Sequence, residues 1–219
     1  MNRLLSVAIL CIAALSTTAF SQGQYLKAGE SGVGLTASMD FAKEETTFGG
    51  GPAFSYQGYV DVSAGYAHIS VKTKDTPSIE FSGNNYIGQL TVHPLKQSES
   101  MPVGLAVNGA YLHSTYGGGD LDKLNIKGSA NAFGAGGILH RTTPIGDKMS
   151  VLAGAGYAFT HASIDMGGTK STDNSNSYPI VLEGIFSVGE KGKIVIGPEF
   201  TFNKDANVFG VSASYIMVL

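Results

Sequence analysis

The sequence predicts an all-β protein, a single antiparallel up-and-down transmembrane β-barrel of ten strands, with eight as the alternative count, behind a short amino-terminal leader. Three observations carry that prediction. Apolar residues alternate with small or polar ones at period two through most of the chain beyond residue 22, which sets one row of side chains on each face of a strand. Only 14% of the 219 residues are charged and 30 are glycine, where soluble domains average about 25% charged, so a charged coat does not meet most of the surface. Beyond the leader no segment approaches 18 consecutive apolar residues, the length a helical span requires.

The leader comes first. Met1-Asn2-Arg3 is followed by an apolar run from Leu4 to Leu15 and then by small and polar residues to Gln22, the three-part pattern of a signal peptide over residues 1–21. The run is too short to span a bilayer. Cys11 lies inside it after the bulky Leu10, which does not suit a lipoprotein anchor. A cut ahead of Gln22 removes the only cysteine, leaving residues 22–219 as one domain without disulfides or thiolate metal sites. It also removes Arg3, leaving 13 basic against 17 acidic residues. Nucleic acid is thereby an improbable partner, since phosphate surfaces need clustered cations.

The strands follow in order. In the first, Val33, Leu35, Ala37, Met39 and Phe41 alternate with Gly34, Thr36, Ser38 and Asp40. Eight more are expected over 48–57, 59–71, 80–94, 102–115, 126–140, 149–163, 178–189 and 193–203. The last row is Phe209, Val211, Ala213, Tyr215, Met217 and Leu219. Apolar rows also stand out at Val60, Val62, Ala64 and Tyr66, at Val151, Ala153, Ala155, Tyr157 and Phe159, and at Ile194, Ile196, Phe200 and Phe202. The opposite rows are mostly Gly, Ala, Ser, Thr and Asn. Polar links at 72–79, 116–125 and 164–177 fall on one rim, whereas Gln57-Gly58 and Glu190-Lys191-Gly192 are tight turns on the other. Short periplasmic turns, longer external loops and an even strand number are the pattern of outer-membrane barrels. A soluble β-sandwich acting as a periplasmic binding module would also alternate, but its polar face would carry charges rather than small residues.

The mature segment therefore resembles the small bacterial outer-membrane β-barrels, the OmpA-like and porin-like group, and Tyr215, Met217 and Leu219 resemble the carboxy-terminal assembly signal of such barrels. The resemblance implies a Gram-negative cell outer membrane as the location. It implies outer-membrane lipid and, during biogenesis, the barrel-assembly machinery as partners. It also implies a structural, adhesive or narrow-pore role without cofactors, catalysis or metal. The lumen of ten strands falls between filled eight-stranded barrels and open porins.

Two constellations suggest a surface hydrolase instead. Asp120 and Asp122 resemble one half of the omptin protease site, which sets Asp-x-Asp against Asp-x-His; the remaining half is absent, since His161 and Asp165 stand four apart. His161 and Ser163 resemble the His-x-Ser of the barrel lipase that deacylates lipid A, in which the imidazole takes the serine proton. His68 and Ser70 match it equally, and residues i and i+2 share a strand face by default. The five histidines, 68, 93, 113, 140 and 161, fall on five separate strands, without metal-ligand spacing. The glycines at 134, 136 and 137 and at 154 and 156 lack the following helix a phosphate loop needs.

The hairpin at Glu190-Lys191-Gly192 gives the sharpest expectation. With Gly192 as the left-handed third residue of the loop, Gly189 pairs with Lys193. Glu183 then stands directly opposite Glu199 on the inner face, a lumen carboxylate pair. Like charges so opposed repel; relief would come from one carboxyl keeping its proton, from a cation, for which Lys127, Arg141 and the lumen histidines are the candidates, or from a water-filled lumen that screens both.

Overall fold

The computed structural model describes residues 22–73, 78–204 and 207–219; the expected signal peptide, Cys11 included, lies outside the described residues. Ten strands close into one antiparallel barrel in sequence order, with the first, Gly32–Ala42 (β1), hydrogen-bonded to the last, Val208–Val218 (β10). Between them run Glu45–Tyr56 (β2), Val60–Lys72 (β3), Glu80–Leu95 (β4), Gly104–Gly117 (β5), Gly128–Pro144 (β6), Met149–Met166 (β7), Thr169–Val188 (β8) and Gly192–Asn203 (β9). Among the described residues closure leaves no free sheet edge and no second sheet, which removes the sandwich alternative. The other described elements are a 3-10 turn at Gly23–Tyr25 and a five-residue helix, Gly119–Lys123 (α1).

Every apolar row expected to face lipid points outward. Leu35 is 63% exposed, Val62 56% and Leu182 51%, while their strand neighbours Thr36, Asp61 and Val181 are buried. A wall of exposed Val, Leu, Ile and Phe around a closed sheet is stable only under hydrocarbon.

The links differ from expectation in two places. Residues 164–177 are not a loop: β7 and β8 run on as a hairpin turned by Gly167 and Gly168, at φ 58° and 83°. These strands have 18 and 20 residues, about twice what a tilted strand needs to cross a bilayer, so the hairpin stands clear of the membrane on the rim opposite the termini. Residues 116–125 fold partly as α1. The link at 96–103, on the termini's rim, falls where the expected strands 80–94 and 102–115 left it.

The β8–β9 register is also corrected. The left-handed residue is Gly189, at φ 63°, and Val188 pairs with Gly192. The strands are therefore offset by two residues from the sequence-based pairing. Glu199 stands opposite Val181, and a Cβ on Gly197 would fall 2.6 Å from the Glu183 Cα. The two carboxylates share the inner face but lie diagonally, not opposed.

Candidate functional site: a lumen stoppered at both ends

The first described residues do not trail from the barrel; they turn inward and close it at the termini's rim. Asp61, one residue into β3 from the Gln57-Gly58 turn, is buried within the wall. Its Oδ2 accepts the backbone N–H of Gln22 at 2.9 Å and of Gly23 at 2.8 Å, and lies 2.8 Å from Nε2 of buried His93 on β4. A buried carboxylate is tolerated when donors surround it, and here two of the donors belong to the segment being held. Gly23 is required by contact, since a Cβ there would stand 2.5 Å from His93 Nε2.

Two cations hold the carbonyls of the same segment. Lys96, just beyond β4, donates to the carbonyls of Gly23 and Leu26, and Lys193 on β9 donates to that of Tyr25. Burial is the main reason that the Lys96 amine is pushed down to about 8. The Tyr25 hydroxyl donates to Glu183 Oε2 at 2.8 Å and receives the Gln24 amide at 2.6 Å. Tyr25 and Leu26 then pack on Leu152, Val181, Ile185, Val195 and Ile216. Beside this stopper a cavity of about 560 Å³ opens at the same rim, lined among others by Lys96, Gln97, His140 and Lys193. His140 is buried, and neither of its ring nitrogens has a hydrogen-bond partner.

At the far rim the lumen closes with hydrocarbon. Ile69, Phe81, Leu112, Ile164 and Met166 point inward and meet Leu121 of α1, which is fully buried. The acid pair Asp120 and Asp122 builds this lid. Asp120 accepts the N–H of Glu80 at 2.9 Å and the Lys123 ammonium at 2.8 Å, and Asp122 accepts the N–H of Gly118 at 2.9 Å. These contacts pin the helix that drives Leu121 into the barrel.

Between the closures the lumen is polar. Asp40, Glu183 and Glu199 all face inward, and Asp40 pairs across Gly210 with Glu199 in one row of the β1–β10–β9 sheet. The acid beside Glu199 is thus Asp40, which the sequence did not single out. Of the cations proposed for the pair, Lys127 precedes β6 at the far rim and Arg141 is exposed on the outer wall, while His93 and His140 do face inward but stand at the stopper, His93 against Asp61. Glu183 takes its hydrogen bond from Tyr25 instead.

The His-x-Ser candidates lie on the outer wall. His161 Nδ1 bonds Asn174 Oδ1 at 2.7 Å and His68 Nδ1 bonds Asn84 Oδ1 at 3.0 Å, amides standing where a triad would set a carboxylate. Asp165 accepts the N–H of Gly168 at 3.0 Å in the hairpin turn. Among the described residues no three metal-ligating side chains converge.

No family model matches the chain, and no curated protein matches it by sequence. By fold it is similar to the translocator domain of the autotransporter NalP from Neisseria meningitidis, with a TM-score of 0.59 at 11% identity over 99% of this chain and 97% of that one. The beta domain of the Bordetella autotransporter BrkA aligns at TM-score 0.49 and 10% identity, over 88% and 100% of the two chains. Neisserial surface protein A aligns at 0.42 and 11%, over 87% and 96%. At such identities the likeness is one of fold. The fold is that of a bacterial outer-membrane β-barrel, and the outer membrane is where such a barrel sits.

Proposed function

We propose that the protein is a sealed outer-membrane barrel that acts through its wall and its far-rim hairpins, in a structural or adhesive role, and neither conducts solutes nor catalyses a reaction. The observation that supports this is the double closure of the lumen: residues 22–26 bonded to Asp61, Lys96, Lys193 and Glu183 at one rim, and Leu121 packed into the hydrocarbon cluster at the other. What such a barrel offers a partner is its outside. If a signal peptidase cuts ahead of Gln22, the new amino group is the nitrogen already 2.9 Å from Asp61, so processing would add a charge to the contact that seats the stopper.

Planar-bilayer recordings test this reading. The mature protein is expected to hold no steady open channel, and a deletion of both closures, residues 22–26 together with 119–123, to open one. A steady conductance in the unaltered protein, insensitive to that deletion, would make it a narrow pore and sink the proposal. The hydrolase reading has its own test: release of fatty acid or peptide by the intact protein, abolished in His161→Ala, would replace a structural role with a catalytic one.

A further inference from the structure

The outer wall changes character in a fixed order toward the far rim. On β3 the outward residues run Val62, Ala64, Tyr66, His68, Ser70, Lys72; on β4 they run Leu90, Gly88, Tyr86, Asn84, Ser82, Glu80. Hydrocarbon gives way to aromatic rings, then to imidazole and amide, then to hydroxyls, then to charge. Such a sequence marks the passage from lipid tails through the interface, where aromatic girdles sit, into water. The imidazole and amide level is therefore at the lipid headgroups.

At that level the same cluster is built on three successive hairpins. Tyr66 packs on Tyr86 at 5.6 Å, Tyr111 on Phe133 at 5.4 Å and Tyr157 on Tyr178 at 5.7 Å between ring centroids. In the first, Asn84 Oδ1 accepts both the Tyr66 hydroxyl at 2.7 Å and His68 Nδ1 at 3.0 Å. In the second, Asn131 Oδ1 accepts Tyr111 at 2.7 Å and His113 at 2.9 Å. The third divides the work: Asn176 takes Tyr157 and Asn174 takes His161, each at 2.7 Å. The motif reads in sequence as Tyr-x-His on one strand and Asn-x-Tyr or Asn-x-Phe on the next, with the third Tyr and His two residues further apart.

The bonding fixes what each cluster presents. With Oδ1 occupied, the asparagine keeps its two amide N–H donors for the outside. With Nδ1 donating inward, the imidazole keeps Nε2 as an outward acceptor in its neutral form. A paired donor and acceptor beside aromatic rings matches a sugar, whose hydroxyls both give and accept and whose C–H face lies on a ring. A bare phosphate would want cations, and at this level the wall has amides and imidazoles, with its lysines further out.

We propose that these three clusters are docking sites for the sugar headgroups of glycolipid in the outer leaflet. The proposal rests on the outer-membrane reading with the far rim outside. Thermal unfolding in detergent, followed by the loss of the faster-running unboiled form on a gel, tests docking independently of orientation. The probes are a disaccharide glycolipid with its phosphates, the same glycolipid without them, and phosphatidylethanolamine. Both glycolipids are expected to raise the melting temperature of the full barrel by several degrees, and phosphatidylethanolamine to leave it unchanged. The triple variant Asn84→Ala, Asn131→Ala, Asn174→Ala is expected to lose that rise. If the triple variant does not fold, Asn131→Ala alone should show a smaller rise than the parent. Equal rises in parent and variants, the same rise from phosphatidylethanolamine, no rise at all, or a rise confined to the phosphorylated form would each overturn sugar docking. Access of external protease to Gly167 and Gly168 in whole cells tests the orientation separately.

Discussion

Asp61 and Glu183 are the two residues on which the stopper turns, and they are held in opposite ways. Asp61 accepts two buried backbone N–H groups of the stopper, so Asp61→Ala takes the acceptor away from the Gln22 and Gly23 amides. Each orphaned buried donor costs about 1–3 kcal/mol. The expected outcome is a barrel that still closes but whose stopper comes loose, read as faster thiol labelling of Gln24→Cys in the Asp61→Ala background than in the parent. Glu183 is an acceptor that a neutral amide can replace. Glu183→Gln should keep the Tyr25 bond and relieve repulsion from Glu199, leaving the melting temperature level or higher, whereas Glu183→Ala should lower it. The inner face of both glutamates was legible in the sequence; their pairing was not. Gly189-Glu190-Lys191-Gly192 has a glycine at each end, either able to take the left-handed conformation, and nothing local decides between them.

At the scale of elements, the sequence showed strands wherever one face meets lipid and failed where that contrast ends. Residues 169–176 carry Thr, Lys, Ser, Asp and Asn on both faces, because past the membrane the outward row meets water and the period-two signal vanishes although the ladder continues. A short tag inserted between Gly167 and Gly168 should accordingly be tolerated and reached by antibody on whole cells, while the same tag at Asp173 should break the β7–β8 ladder and lower the folded yield. The stopper was missed for another reason. Its residues follow the leader with no periodicity, and the one signal available was the pair of ionisable side chains, Asp61 and His93, in inner rows of β3 and β4 otherwise free of ionisable groups. Its second grip, Lys96, gives a pH signature. With the amine at about 8 in the folded barrel and near 10.4 in the unfolded chain, the unfolded chain binds more protons between those values, so stability rises with pH across that window. Below about pH 8 the cost of burying the charged amine is present in full. In Lys96→Met this rise between about pH 8 and 10.4 should be smaller than in the parent when their melting temperatures are compared.

For the whole molecule, the side of the wall that meets hydrocarbon decides where a charge is tolerated, and β10 offers the cleanest comparison because its two faces differ sharply over adjacent residues. Ala213 points outward about midway between the aromatic levels marked by Phe209 and Tyr215, with Ala37 and Ile196 as its neighbours across β1 and β9. Ser212 points inward beside Ser38 and Gly197, one step along the inner face from Gly210, where Asp40 and Glu199 converge. A lysine on the outer wall near mid-bilayer costs about 2–4 kcal/mol. A lysine at Ser212 enters a polar lumen whose nearest charges are carboxylates, and its ammonium offsets their mutual repulsion. Ala213→Lys should therefore assemble poorly and Ser212→Lys well, read as the fraction of faster-running unboiled protein in outer-membrane fractions. Gly154 on β7 would be a poor inward control, although it too faces the lumen: a Cβ there meets Val181 and Ile138 at 3.0 and 3.1 Å, so a long side chain would fail by crowding rather than by charge. Equal assembly of the two β10 variants, or the reverse order, would mean that the outer wall does not face lipid.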